Sequence, residues 1–449
     1  MTSAKQLIRS LTLTDSIGIV VGSIIGTGVF LKTATIGALV GSPGMVLLVW
    51  VVAGILSLTG ALAYGELGSL MPEAGGEYVY MKEGYGDIWG FLYGWMRFWI
   101  GSTGSIAAYA VGAMTFLSGA VDLSAVGGKT GAAVISIVIF SALNCLSVAF
   151  GGMLQSGMTF LKILMLLGIS VGIFFFADVG TMSHMSEAIE VPGGLPWWSA
   201  FGSALLAALW AYDGWNNLPM VSGEIKNPQR NIPLSLALGM VVILVVYGLV
   251  NVAYFYALPF SEIVNSNSDA FPDALPVATK AAMTFLGSYG LVILSLAFAF
   301  SAISAMNGSI LTGARVPYAM AKDGLFFKGL ANVNEKASPM ISVLVQAGVS
   351  ILLAISGTFD QLTNYVVFSS WIFYAMCTGA VFILRKKRPD APRAYKTLGY
   401  PVLPIIFIVL GVLLLINTVW SSPKESLIGL ILILAGVPVF YWFKRSQKA

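Results

Sequence analysis

The chain has 449 residues, 57% of them hydrophobic and only 10% charged, with a formal net charge of +4 at pH 7. A soluble domain is nearer a quarter charged, so this composition excludes an ordinary water-soluble protein and predicts an all-α polytopic membrane protein. Basic residues are split among short connections, which excludes a nucleic-acid partner and makes the charge a signal of topology.

Twelve apolar spans are expected in chain order, at about 12–40, 45–70, 86–118, 131–150, 155–177, 197–221, 233–258, 280–314, 340–357, 361–385, 402–420 and 426–443. Turn and charged residues fill the connections, as in MPEAGGEY, GEIKNPQRNIP and RKKRPDAPRAYK. No stretch reads as a separate soluble domain, so residues 1–449 are expected to form one transmembrane domain. With the N-terminus inside, only Lys129, Lys280 and Lys424 of the 24 lysines and arginines fall outside, while Lys32, Arg97 and Lys162 lie within spans. That asymmetry predicts a cell-membrane protein with both termini cytoplasmic. No cleavable signal peptide is expected. Cys145 and Cys377 both fall in apolar segments, and His184 stands alone in a polar loop. Neither a disulfide framework nor a metal site is expected, and no cofactor.

The first span contains GIVVGSIIGTGVF, with glycines at 18, 22, 26 and 28. A glycine inside a helix costs about 0.5–1 kcal/mol relative to alanine, so this crowding needs a reason. Close helix packing is one, through the small residues Gly18, Gly22 and Gly26. A helix broken at membrane depth, where it lines a cavity, is another. A nucleotide loop is disfavoured, because no strand precedes it and no lysine closes it. The segment by itself divides evenly between packing and break.

The sixth span adds LWAYDGWNNLP, which puts Asp213 and Gly214 in an apolar helix beside Trp210, Tyr212 and Trp215. An acid at membrane depth marks a functional site. Interruptions in spans one and six fit a leucine-transporter-like 5+5 inverted repeat with discontinuous helices one and six. Repeat one covers about 12–177, repeat two about 197–385, and two extra helices about 402–443. Such breaks offer N–H groups to an anion and carbonyls to a cation. An amino acid zwitterion needs both.

GSIIGTGVF, ELGSLMPEAGGEYVY, YGDIWGFLYGW, LWAYDGWNNLPMVSGEIKNPQRNIP and NGSILTGARVPYAMAKDGLF together resemble the amino acid–polyamine–organocation superfamily. They are most similar to L-type amino acid transporters, including bacterial members and the light subunits of heteromeric transporters. The resemblance implies that Thr27 and Gly28, with Gly26 and Ile25, meet a substrate carboxylate. It implies that the Ile24 and Asp213 carbonyls take the ammonium, that Trp210 closes over the substrate, and that Tyr254 of NVAYF belongs to the pocket. Lys162 matches the position where sodium-coupled relatives hold a cation. Light subunits carry a cysteine in the outer loop between helices three and four. Here that loop, SGAVDLSAVGGKT, has none, so no disulfide-linked heavy subunit is expected.

Each residue also has a plainer reading. Lys162 could snorkel to the interface, or donate to carbonyls of the broken first helix and to Ser301 or Ser304. Asp213 could contact a cationic side chain, or satisfy backbone freed at the break. Trp210 could simply pack. Glu66 and Arg97 could be structural pairs or part of a cytoplasmic gate. A channel is disfavoured by two interrupted helices, and an enzyme by the lack of a nucleophile–base pair within spans. The expected function is sodium-independent exchange of small neutral L-amino acids. Proton-coupled symport and exchange of cationic amino acids are the alternatives.

Overall fold

The computed structural model describes residues 7–191, 196–268, 270–271, 274–356, 359–421 and 423–446. Lys5 and Lys448, both placed inside by the charge pattern, lie outside the described residues.

A capping box opens α1 (Leu13–Ile24): the Asp15 carboxylate accepts from the Thr12 N–H at 2.9 Å, and the Thr12 hydroxyl accepts from the Asp15 N–H. The chain breaks after Ile24 and resumes as α2 (Gly28–Val40), bent by 44°. Ser42 caps α3 (Pro43–Leu70), with proline at the first helical position. The connection around GGEY forms its own helix, α4 (Glu77–Tyr85), which the span pattern did not anticipate. The third span is α5 (Asp87–Met96), a π-helical turn at Arg97–Gly101, and α6 (Ser102–Leu117).

Ser147 alone separates α7 (Gly128–Leu146) from α8 (Val148–Phe176). Its hydroxyl accepts from the Phe150 N–H at 3.1 Å, so residues 151–154, expected as a loop, are the first turns of α8. The sixth span is α9 (Trp197–Ala211) and the short α10 (Asn217–Met220), parted at Gly214, whose φ is +122°. Beyond it come α11 (Pro228–Ala257), α12 (Phe260–Val264) and α13 (Val277–Leu286). Next are α14 (Tyr289–Gly313), α15 (Arg315–Lys322), α16 (Met340–Ser356) and α17 (Phe359–Lys387). The chain closes with α18 (Val402–Ser421), α19 (Pro423–Leu434) and α20 (Gly436–Ser446). The span expected at 280–314 is divided. Gly287, at φ +56°, ends α13, and the membrane-length helix is α14.

Among the described residues there is no strand, only isolated bridges. Among the described residues nine helical segments are long and apolar enough to cross a membrane, and the bent α1–α2 pair makes a tenth. The apolar helices α9, α13 and α16 are shorter.

Gly18 and Gly22 let α1 lie directly on α8. A Cβ on Gly18 would stand 2.9 Å from Ser156 Oγ, and one on Gly22 would stand 2.1 Å from Thr159 Oγ1. Arg315 and Glu224 form a two-pronged pair at 3.0 and 3.1 Å with both side chains fully buried. The Glu224 carbonyl accepts from the Ser10 and Leu11 N–H groups, both at 2.9 Å, and so pins the start of α1. Glu66 is a structural pair: Arg385 at 2.7 Å, Arg393 at 3.2 Å and the Thr397 hydroxyl at 2.7 Å surround its carboxylate.

Candidate substrate site at the two helix breaks

The breaks in the first and sixth spans touch. Gly214 has no side chain because a Cβ there would stand 2.9 Å from the Ser23 carbonyl carbon and oxygen. On α11, the Tyr247 hydroxyl lies 3.2 Å from the Ile24 carbonyl and 3.0 Å from that of Ala211. One hydroxyl carries one hydrogen, so it serves one of these two carbonyls at a time.

Between the breaks lies a cavity of about 30 Å³, lined by Ile24, Gly26, Thr27, Gly28, Trp210, Ala211 and Asp213. Ser105, Ala108 and Tyr109 of α6 and Val366 of α17 complete the wall. That is room for ordered water between the breaks.

One wall is the N-terminus of α2, where first-turn N–H groups have no intrahelical partner and the dipole favours an anion. Thr27 stands at the cap position, yet its side chain makes no cap hydrogen bond. Its buried hydroxyl has no partner among the described residues. A Cβ on Gly28 would meet Ala211 Cβ at 2.5 Å and Ala211 Cα at 2.9 Å. Gly26 faces the Tyr109 ring, whose Cε1 would be 3.3 Å from a Cβ. The four glycines therefore divide their work: Gly18 and Gly22 pack, while Gly26 and Gly28 belong to the break.

The opposite wall carries the acid. Asp213 accepts from the Tyr374 hydroxyl of α17 at 2.9 Å. Trp210 is half-buried, and the Lys32 ammonium lies 5.3 Å from its ring centroid.

Behind the cavity, Lys162 of α8 is 1% exposed and therefore does not snorkel to the interface. Its ammonium donates to the Gly22 carbonyl at 3.0 Å and to the Ile25 carbonyl. The Ser301 hydroxyl of α14 lies 3.2 Å from the Ile25 carbonyl and 3.0 Å from that of Gly26, and donates to one of them at a time. Lysine and serine thus converge on one carbonyl. Ser304 is fully buried, but its hydroxyl has no partner among the described residues. Below them, Asn307 joins Gln155 to Asn144 through bonds of 2.8 Å each.

Tyr254 is buried but does not line the cavity. The α11 tyrosine that reaches both breaks is Tyr247, about two turns earlier on the same face. Tyr109 and Tyr374 carry no sequence signal, because Tyr109 is an ordinary aromatic in an apolar helix and Tyr374 stands among the other aromatics of α17, such as Trp371 and Phe373. Beneath α10, the buried Glu77 carboxylate takes the Tyr64 hydroxyl at 2.7 Å, the Tyr93 hydroxyl and the Asn216 amide. Arg97, in the π-helical turn, donates to Asn217 at 3.0 Å. Among the described residues no group of three His, Cys, Asp or Glu could hold a metal ion.

Residues 11–440 match the family described as amino acid permease. The chain belongs to the amino acid permease family. Over 460 residues it is 32% identical to the serine/threonine exchanger SteT of Bacillus subtilis (strain 168), spanning all of both chains. It is 30% identical to the b(0,+)-type amino acid transporter 1 of Rattus norvegicus, covering 99% of this chain and 90% of that one. It is 31% identical to the large neutral amino acids transporter small subunit 2 of Mus musculus, covering 98% and 82%. The permease is accordingly a multi-pass membrane transporter of amino acids and not an enzyme, as the resemblance implied.

Proposed function

We propose that this permease is a sodium-independent, alternating-access exchanger of small neutral L-amino acids. The observation that carries the substrate site is the unpartnered Thr27 hydroxyl at the N-terminus of α2, in a cavity that residues of the second break also line. The carboxylate binds the N–H groups at Thr27 and Gly28, and the ammonium binds the remaining lone pairs of the carbonyls at Ile24, Trp210 and Asp213. Trp210 and Tyr109 leave little room for a side chain, which favours alanine and serine. The printed name of the Bacillus subtilis relative, a serine/threonine exchanger, agrees with that class and with exchange.

Sodium independence rests on Lys162. Carbonyls freed at a break can coordinate sodium, but those of Gly22 and Ile25 are bonded to an ammonium that repels it. The twelve-span, 5+5 inverted-repeat architecture is supported by packing between spans five apart. Span two (α3) lies along span seven (α11), and span three (α6) along span eight (α14). Repeat one then covers about 12–177 and repeat two about 197–385. Both termini lie in the cytoplasm. With no cysteine between residues 118 and 130, we propose that no heavy subunit is disulfide-linked here.

The zwitterion site is tested with labelled serine on purified protein. Alanine should displace the label, whereas alaninol, without the carboxylate, and lactate, without the ammonium, should each be at least about tenfold weaker. Alaninol competing as well as alanine would remove the carboxylate from α2. A smaller effect is expected at Ser301. Ser301→Ala deletes one neutral hydrogen bond, shared between the Gly26 and Ile25 carbonyls and worth about 0.5–1.5 kcal/mol, so initial exchange rates should fall by about three- to tenfold.

A second reading, cationic substrates, is favoured by one observation: the Asp213 carboxylate lines the cavity.

A further inference from the structure

We propose that Lys32 is a charge filter at the mouth of this cavity, which disfavours amino acids with cationic side chains and offsets the attraction of Asp213. The inference rests on reading the cavity as the amino acid site.

Lys32 lies about 6 Å along α2 from Gly28 and about 12 Å short of the helix end at Val40. A lysine within a span usually extends its stem until the ammonium reaches the interface. This one is half-buried, and its ammonium rests over the Trp210 indole, 5.3 Å from the ring centroid. Among the described residues it forms no ion pair with any carboxylate. An ammonium kept at this depth without an acid partner gives its field to whatever lies nearby.

What lies nearby is the substrate cavity. Trp210 lines it and Lys32 does not, and the proposal places the indole between the ammonium and a bound side chain. A cationic group packed under the ring would sit about 9 Å from Lys32, the distance to the ring plus one van der Waals contact. At an effective dielectric constant of about 20–40, a like charge at that range weakens binding by about five- to twentyfold. A neutral side chain feels almost none of this. Asp213 pulls a cationic side chain inward from the opposite wall, and Lys32 opposes it. The cation–π contact also holds the ring in place.

The test uses the full-length purified protein and labelled serine, with serine and arginine as competitors. The quantity read is the concentration of arginine needed for half displacement, divided by that of serine. In Lys32→Gln this ratio should fall by about five- to twentyfold. Lys32→Arg keeps the charge over the ring and should hold the ratio within about twofold of wild type. In Lys32→Gln/Asp213→Asn the ratio should climb back toward wild type, because the inner attraction is gone as well. If Lys32 only packs the lid, Lys32→Gln weakens serine and arginine together, the ratio stays constant and the proposal is overturned. Lys32→Met, which keeps the apolar stem, replaces the glutamine variant if that protein cannot be isolated. Wild-type protein that binds neither competitor would instead overturn the amino acid reading of the cavity.

Discussion

Gly28→Val is expected to reduce amino acid uptake to below about 1% of wild type while the protein still reaches the membrane. The clash is with the first atom added. A Cβ would stand 2.5 Å from Ala211 Cβ, 2.9 Å from its Cα and 3.3 Å from Trp210 Cζ3. Backbone cannot yield as a flexible side chain does, so the start of α2 must shift away from α9 by about an ångström. The N–H groups at Thr27 and Gly28 shift with it, and a misplacement of about 1 Å can cost a hundredfold. The rest of α1 keeps its seat on α8 through Gly18 and Gly22, so folding is expected to survive. Gly28→Ala places the same offending atom and should behave similarly. Initial uptake rates, normalised to protein in the membrane, check this. Wild-type rates in the valine variant would remove the α2 N-terminus from the site.

Lys162→Ala should slow exchange by about ten- to a hundredfold and weaken substrate affinity at the cytoplasmic face. Removing the ammonium strands the buried Gly22 carbonyl and leaves Ser301 alone on Ile25. An unsatisfied buried acceptor costs about 1–3 kcal/mol. The first helix is then less firmly held against α8 and α14 on either side of its break. A lysine at the interface would predict near-normal rates, but a 1% exposed lysine does not. Initial rates on right-side-out and inverted vesicles separate the affinity effect from the slowing of turnover.

The breaks were legible in the sequence because their residues defy their surroundings. Four glycines near one another, and an acid beside a glycine, have no place in an uninterrupted apolar helix. Packing and breaking compete evenly for Gly18–Phe30 because each half of the segment does one of them: Gly18 and Gly22 lie against α8, and the helix stops after Ile24. Lys162 was legible as an ion in the wrong solvent, although its exact acceptors were not. Other features had no local signal. Tyr247 reaches Ile24 across 223 positions of sequence, and nothing in its own span distinguishes it from Tyr254. Tyr109 and Tyr374 look like ordinary packing until another helix faces them. Boundaries at Ser147 and Gly287 depend on a single hydroxyl cap and a single positive φ, which apolar periodicity does not register.

The central claim is exchange without sodium. Purified protein is placed in proteoliposomes, empty or preloaded with unlabelled serine, and uptake of labelled serine is followed in sodium or choline medium, with and without a pH gradient. The account predicts fast uptake into preloaded vesicles, little into empty ones, and the same rates in choline as in sodium. Strong uptake into empty vesicles driven by acid outside, or uptake that disappears in choline, would contradict it.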